Sequence, residues 1–125
     1  MSRIVTSISI FILVISLAVC ETLYVSNISK QTMAKLDTAI EQYNKGEIEK
    51  SEKSVKEADK IWEDNTERMN AFLVHDNVDE VAGRISTANS TLKYQTERFP
   101  IECASAMDSL KVIIYSMLPS WDNIL

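Results

Sequence analysis

Near its N-terminus the chain carries an uninterrupted apolar run. Residues 4–20 contain no charged side chain, and apolar residues continue beyond Glu21. About 20 predominantly apolar residues in a helix are enough to cross a bilayer. These residues surround the whole helix, whereas a soluble amphipathic helix is apolar along one face only. We therefore predict that residues 4–25 contact a membrane as a transmembrane helix, with Tyr24 at the interface.

Beyond this run, apolar residues recur at helical spacing in successive stretches. The first stretch reaches Gly46, a residue suited to a left-handed helix end. The second, from about residue 47 to 72, has apolar residues seven apart, and the last begins at Pro100 and ends before Pro119. The predicted apolar positions are, in chain order, Ile28, Leu36, Ile40, Tyr43, Ile48, Val55, Trp62, Met69, Val78, Val81, Ile85, Ala88, Leu92, Phe99, Cys103, Ala106, Met107, Leu110, Ile113, Ile114 and Met117.

The pattern predicts an all-α protein. Only two Gly and two Pro occur in 125 residues, so few positions favour tight turns. Short connections make sequential helices antiparallel. We expect an N-terminal transmembrane helix followed by a four-helix antiparallel bundle or two stacked helical hairpins. The predicted division is residues 1–26, a signal anchor, and residues 27–125, an acidic helical domain.

The apolar segment has three interpretations. An uncleaved signal anchor is the first. A cleaved secretory signal would use the small residues Ser16 and Ala18, and a lipoprotein would be modified at Cys20. Arg3 and the short N-terminus are expected to stay in the cytoplasm. This predicts a single-pass protein of the cytoplasmic membrane whose soluble domain is extracytoplasmic.

The formal net charge is −5, which argues against nucleic acid as a partner. The single histidine, His75, lies near Asp76, Asp79 and Glu80, but no second His or Cys accompanies it, as a zinc site would require. A simpler interpretation is that His75 ends one helix while the acids cap the next. No glycine-rich phosphate loop or nucleophile motif occurs. We predict no enzymatic activity, and no cofactor, metal or small-molecule substrate is indicated.

Four residues are candidates for an interaction surface. Trp62 lies in the seven-residue series, so core packing is its first interpretation and a partner contact the second. His75 lies at a helix junction. Trp121 and Leu125 belong to a tail after Pro119, which either folds back on the bundle or offers an apolar patch.

The order of several short motifs resembles a known family. They are the turn Asn44-Lys45-Gly46-Glu47, a charged helix with Trp62, the junction His75-x-Asn77-Val78-Asp79-Glu80-Val81, and a last apolar helix followed by Asn123-Ile124-Leu125. This order is similar to domain of unknown function 4363, a family of small bacterial membrane-anchored helical proteins. Residues 96–100 depart from it, because a polar turn with glycine is expected there. The resemblance implies architecture and anchoring and adds no chemistry.

The leading functional hypothesis is a protein-interaction or structural module at the outer face of the cytoplasmic membrane. Its protein partner is not indicated by the sequence. The alternative is a ligand-binding, sensor-like helical domain that acts through a partner subunit, since the chain has no second apolar segment long enough to return through the membrane.

Overall fold

The computed structural model describes residues 1–71, 73, 75–94 and 97–117. These residues form four α-helices: α1 (Ser2–Asn44), α2 (Ile48–Asn70), α3 (His75–Lys93) and α4 (Phe99–Met117). No strand occurs in the described ranges. The predicted all-α fold is confirmed.

Helix α1 joins the apolar segment to the bundle without a break. Its 43 residues correspond to roughly 65 Å of helix. Every residue from 1 to 20 is exposed, and burial begins after Glu21, with Val25 as the first fully buried side chain. By length and composition, α1 contains a segment able to cross a membrane, and none of its apolar window is buried. The predicted division between residues 26 and 27 therefore lies inside one continuous helix.

The turn after α1 has the form predicted from its glycine. Gly46 has φ +79°, in the left-handed region that glycine adopts without steric cost. The backbone N–H of Glu47 donates to the Gln42 carbonyl at 2.9 Å, and that of Gly46 donates to the Tyr43 carbonyl at 3.0 Å. This pair of hydrogen bonds closes the helix end as a Schellman motif. The chain is thereby reversed into α2.

The four helices form a ring in which each packs on two neighbours. The contacting pairs are α1 with α2, α2 with α3, α3 with α4, and α4 with α1. Among the described residues, the diagonal pairs do not come into comparable contact. This closed arrangement is an antiparallel four-helix bundle. The core residues, nearly all at predicted positions, are Val25, Ile28, Leu36, Ala39, Val55, Ala58, Trp62, Met69, Val78, Val81, Ile85, Ala88, Leu92, Phe99, Cys103, Ala106, Leu110 and Ile113.

Two helix starts differ from the prediction. Helix α2 ends at Asn70 and α3 begins at His75, so His75 does not end α2. Asp76 lies in the first turn of α3, where the helix dipole favours a negative charge. Helix α4 begins at Phe99, one residue before Pro100. Phe99 accordingly packs from α4, with its ring centroid 5.1 Å from that of Tyr43 at the end of α1.

Both cysteines are free. Cys20 lies on the exposed part of α1, whereas Cys103 is buried in α4. Burial raises the pKa of the Cys103 thiol to about 12, with a smaller contribution from the negative charge of Glu102. The Cys103 side chain therefore stays protonated at neutral pH and packs as a small apolar group.

Candidate functional site

Trp62 holds α2 against α3. Its side chain is fully buried, and the indole N–H donates to the Val78 carbonyl at 3.0 Å. A buried indole N–H needs such an acceptor, so the ring both fills the core and fixes the first turns of α3. This is the core position that the seven-residue series predicts. A contact of Trp62 with a partner stays a prediction.

The other predicted interaction residues lie at the start of α3 and outside the described part of the chain. The backbone of His75 begins α3, while Glu80 on the same helix forms an ion pair with Arg84 at 2.9 Å. Trp121 and Leu125 lie outside the described residues. Within the described part of the chain, no group of three His, Cys, Asp or Glu side chains is arranged to hold a metal ion.

An acidic groove runs between α2 and α3. We use this name for the depression of about 510 Å³ lined by Asp59, Trp62, Glu63, Thr66, Glu67, Asn70 and Ala82. Three of its carboxylates lie four residues apart along α2, at positions 59, 63 and 67. None of the three forms an ion pair with another described residue. The acidic groove therefore presents a row of negative charge that the bundle does not neutralise.

The pKa values of Asp59 and Glu57, on two different sides of α2, shift in opposite directions. Burial raises the pKa of Asp59 above its ordinary value, and the charge of Glu63 adds to the effect. On the side facing α1, Glu57 accepts a hydrogen bond from the Lys35 ammonium at 2.8 Å, which together with the Lys35 charge lowers the pKa of Glu57. In the acidic groove itself, the Asn70 Oδ1 atom is buried without a hydrogen-bond partner among the described residues.

Replacing Glu63 with Gln is expected to stabilise the bundle at pH 7. Glu63 repels like charges four residues away on both sides, and each such pair costs about 0.2–0.5 kcal/mol. Loss of both repulsions should raise Tm by about 2–4 °C for a domain of this size. Because a raised carboxyl pKa means that the charged form is disfavoured in the folded state, the gain should shrink as the pH falls through the pKa of Asp59.

The matched control is Glu57→Gln, a change on the same helix that removes the ion pair to Lys35 of α1 and should lower Tm. Thermal unfolding of the full chain in detergent, followed by circular dichroism, measures both variants. An unchanged or lower Tm for Glu63→Gln would show that the carboxylate row is neutralised in solution.

A second depression, the junction groove, lies where α1 enters the bundle. Leu17, Cys20, Glu21, Tyr24 and Arg68 line its volume of about 260 Å³. The Tyr24 hydroxyl donates to Asn65 Oδ1, which fixes α2 alongside this part of α1. Arg68 and Glu21 do not form an ion pair with each other or with another described residue. The junction groove thus combines apolar walls with one positive and one negative group.

Sequence reasoning missed both grooves. The row of carboxylates in the acidic groove had a usable signal in the sequence. Acidic residues occur every four residues at positions 59, 63 and 67, and no lysine occupies a position of that repeat. The junction groove had no signal in the sequence, because Glu21 and Arg68 are far apart in the chain. They line the same groove only because α1 packs on α2.

Taken together, the described helices define the class of this protein as a four-helix bundle whose first helix extends into an exposed apolar segment. The chain belongs to the family described as Domain of unknown function (DUF4363), whose sequence model matches residues 19–124. The match covers the bundle and leaves residues 1–18 outside. Neither the curated proteins nor the solved structures contain a match to the chain. The family resemblance is confirmed, and it assigns no activity.

Proposed function

We propose that the protein is a membrane-anchored module that acts through protein contacts, as an interaction or structural component. The observation that carries the proposal is α1, in which an exposed apolar segment continues without interruption into the core of a packed bundle. An apolar surface of this length is favourable in lipid and unfavourable in water. Because no loop separates the two parts, the bundle is held at a fixed distance from the bilayer.

The orientation proposed is the one with the bundle outside the cytoplasm. Support comes from Arg3, a positive charge that precedes the apolar segment. The segment is proposed to be retained as a signal anchor, because it forms one helix with the bundle. The membrane would then be the cytoplasmic membrane of a bacterial cell, as the family resemblance implies.

The orientation can be measured with one accessible thiol. Lys45 has a 64% exposed side chain at the bundle end farthest from the apolar segment. We expect Lys45→Cys, with Cys20→Ser and Cys103→Ala, to react with a membrane-impermeant thiol reagent in intact cells. The same background without the new cysteine is the control. Labelling that occurs only after lysis would place the bundle in the cytoplasm and reverse the proposed orientation.

Protein contacts can be tested by crosslinking in cells. The acidic groove is the first face to examine, because Asp59, Glu63 and Glu67 form no ion pair with another described residue. With a photo-crosslinking amino acid at Glu63, we expect a discrete crosslinked product in the membrane fraction. The same amino acid at Lys50, also exposed on α2 but outside the acidic groove, is the control. Equal products from both positions, or none from either, would contradict a specific contact there.

A second candidate function is the binding of a small ligand, with signalling through a partner subunit. The volume of the acidic groove, about 510 Å³, lies in the range of small-molecule sites and favours this candidate. A cationic ligand would suit its carboxylates. A rise in Tm with one class of metabolite would support it over the protein-contact proposal.

A further inference from the structure

The junction groove lies at the level where α1 would leave the hydrocarbon core. Counted from Ile4, about 20 residues of helix span the core and end near Leu23. Leu23 is 64% exposed, consistent with a lipid-facing position. The junction groove is lined by α1 residues just before and just after this point, together with Arg68 from the last turn of α2. The groove is therefore level with the lipid headgroups.

The chemistry of the junction groove matches that depth. Leu17 and Cys20 provide apolar surface on the hydrocarbon side. Tyr24 lies on the headgroup side, where a ring with a polar tip is favoured. Arg68 and Glu21 bring one positive and one negative charge to the same groove without neutralising each other.

We propose that the junction groove binds one zwitterionic phospholipid. The Arg68 guanidinium takes the phosphate, for which its paired N–H donors are suited. The Glu21 carboxylate takes the headgroup ammonium, and the start of an acyl chain lies against Leu17. A lipid with a single negative charge satisfies Arg68 but faces repulsion from Glu21, so the pair selects a headgroup that carries both charges. The inference rests on the proposed membrane anchoring of α1.

The experiment is native mass spectrometry of the full chain in mild detergent, titrated with phosphatidylethanolamine or phosphatidylglycerol. We expect one phosphatidylethanolamine to bind the wild-type chain in preference to phosphatidylglycerol. Arg68→Gln and Glu21→Gln should each weaken phosphatidylethanolamine binding by about tenfold, the size expected for one charge-assisted hydrogen bond. Arg68→Lys, which keeps the charge, should retain part of the binding.

Arg98→Gln is the matched control, because Arg98 is an exposed arginine at the opposite end of the bundle. Its lipid binding should equal that of the wild type, and circular dichroism should show equal helix content in all variants. Wild-type binding in Arg68→Gln and Glu21→Gln would overturn the inference. The inference would also be overturned if the wild-type chain bound phosphatidylglycerol more tightly than phosphatidylethanolamine and Glu21→Gln strengthened that binding further. The titration is made in detergent, so its outcome does not depend on whether the chain is retained in cell membranes. The proposed function does depend on that retention, so the two can fail separately.

Discussion

Truncation of Trp62 to alanine is expected to destabilise the bundle by about 3–5 kcal/mol. The indole is fully buried, so its removal leaves a cavity between α2 and α3. It also leaves the Val78 carbonyl without the hydrogen bond that it accepts from the indole N–H at 3.0 Å. Domains of this size are stable by only about 5–15 kcal/mol, so this one change removes a large part of the total.

Denaturant unfolding of the full chain in detergent, followed by far-ultraviolet circular dichroism, measures the loss. Trp62→Phe keeps much of the ring and should fall between the wild type and the alanine variant. Tyr94→Ala, at a position that is 76% exposed, should unfold close to the wild type. If Trp62→Ala unfolded at the same midpoint as Tyr94→Ala, the core assignment would be wrong. A partner contact would then be the better account of Trp62.

Two arginines in the middle of the apolar segment are expected to abolish membrane insertion. Each arginine at the centre of a transmembrane helix costs about 2.5–3.5 kcal/mol on insertion scales. Leu13→Arg with Val14→Arg therefore opposes insertion by about 5–7 kcal/mol. The side chains at these positions are 59% and 57% exposed and make no contribution to the core. The bundle should keep its helix content and Tm while its attachment to the membrane is lost.

Alkaline carbonate extraction of membranes provides the measurement. The wild-type chain should remain in the pellet, and the double arginine variant should appear in the supernatant. Leu13→Ala with Val14→Ala, which changes the size of the same side chains without adding charge, is the control and should stay in the pellet. Extraction of the wild type would refute membrane anchoring. Retention of the arginine variant would show that another part of the chain holds it.

Local features of the sequence were sufficient to predict the helices. Apolar residues repeated with helical period, and buried positions such as Val55, Trp62 and Met69 follow directly from their seven-residue spacing. Gly46 marked the turn because few other residues adopt a positive φ without strain. The helix starts at His75 and Phe99 were predicted less accurately, since the ends of helices depend on a few local hydrogen bonds.

The two alternatives for helix arrangement could not be separated from the sequence. A four-helix bundle and two stacked hairpins share the same apolar periods, and only the packing of α4 on α1 closes the ring. Polar residues on α2 that are buried or half-buried depended equally on their neighbours. The buried Ser51 hydroxyl donates to the Ala39 carbonyl at 2.7 Å, and the half-buried Asn65 side chain accepts from the Tyr24 hydroxyl.

The sequence by itself determined the apolar segment, the helical class, the turn at Gly46 and most of the core, because each is encoded by residues close together in the chain. Only the structure decided that the apolar segment and the first bundle helix are one continuous helix. It also decided which charges form no ion pair with another described residue, in the row Asp59, Glu63 and Glu67 and at Glu21 and Arg68. Whether a charge is paired depends on side chains from other helices, and their positions are set by packing across the whole bundle.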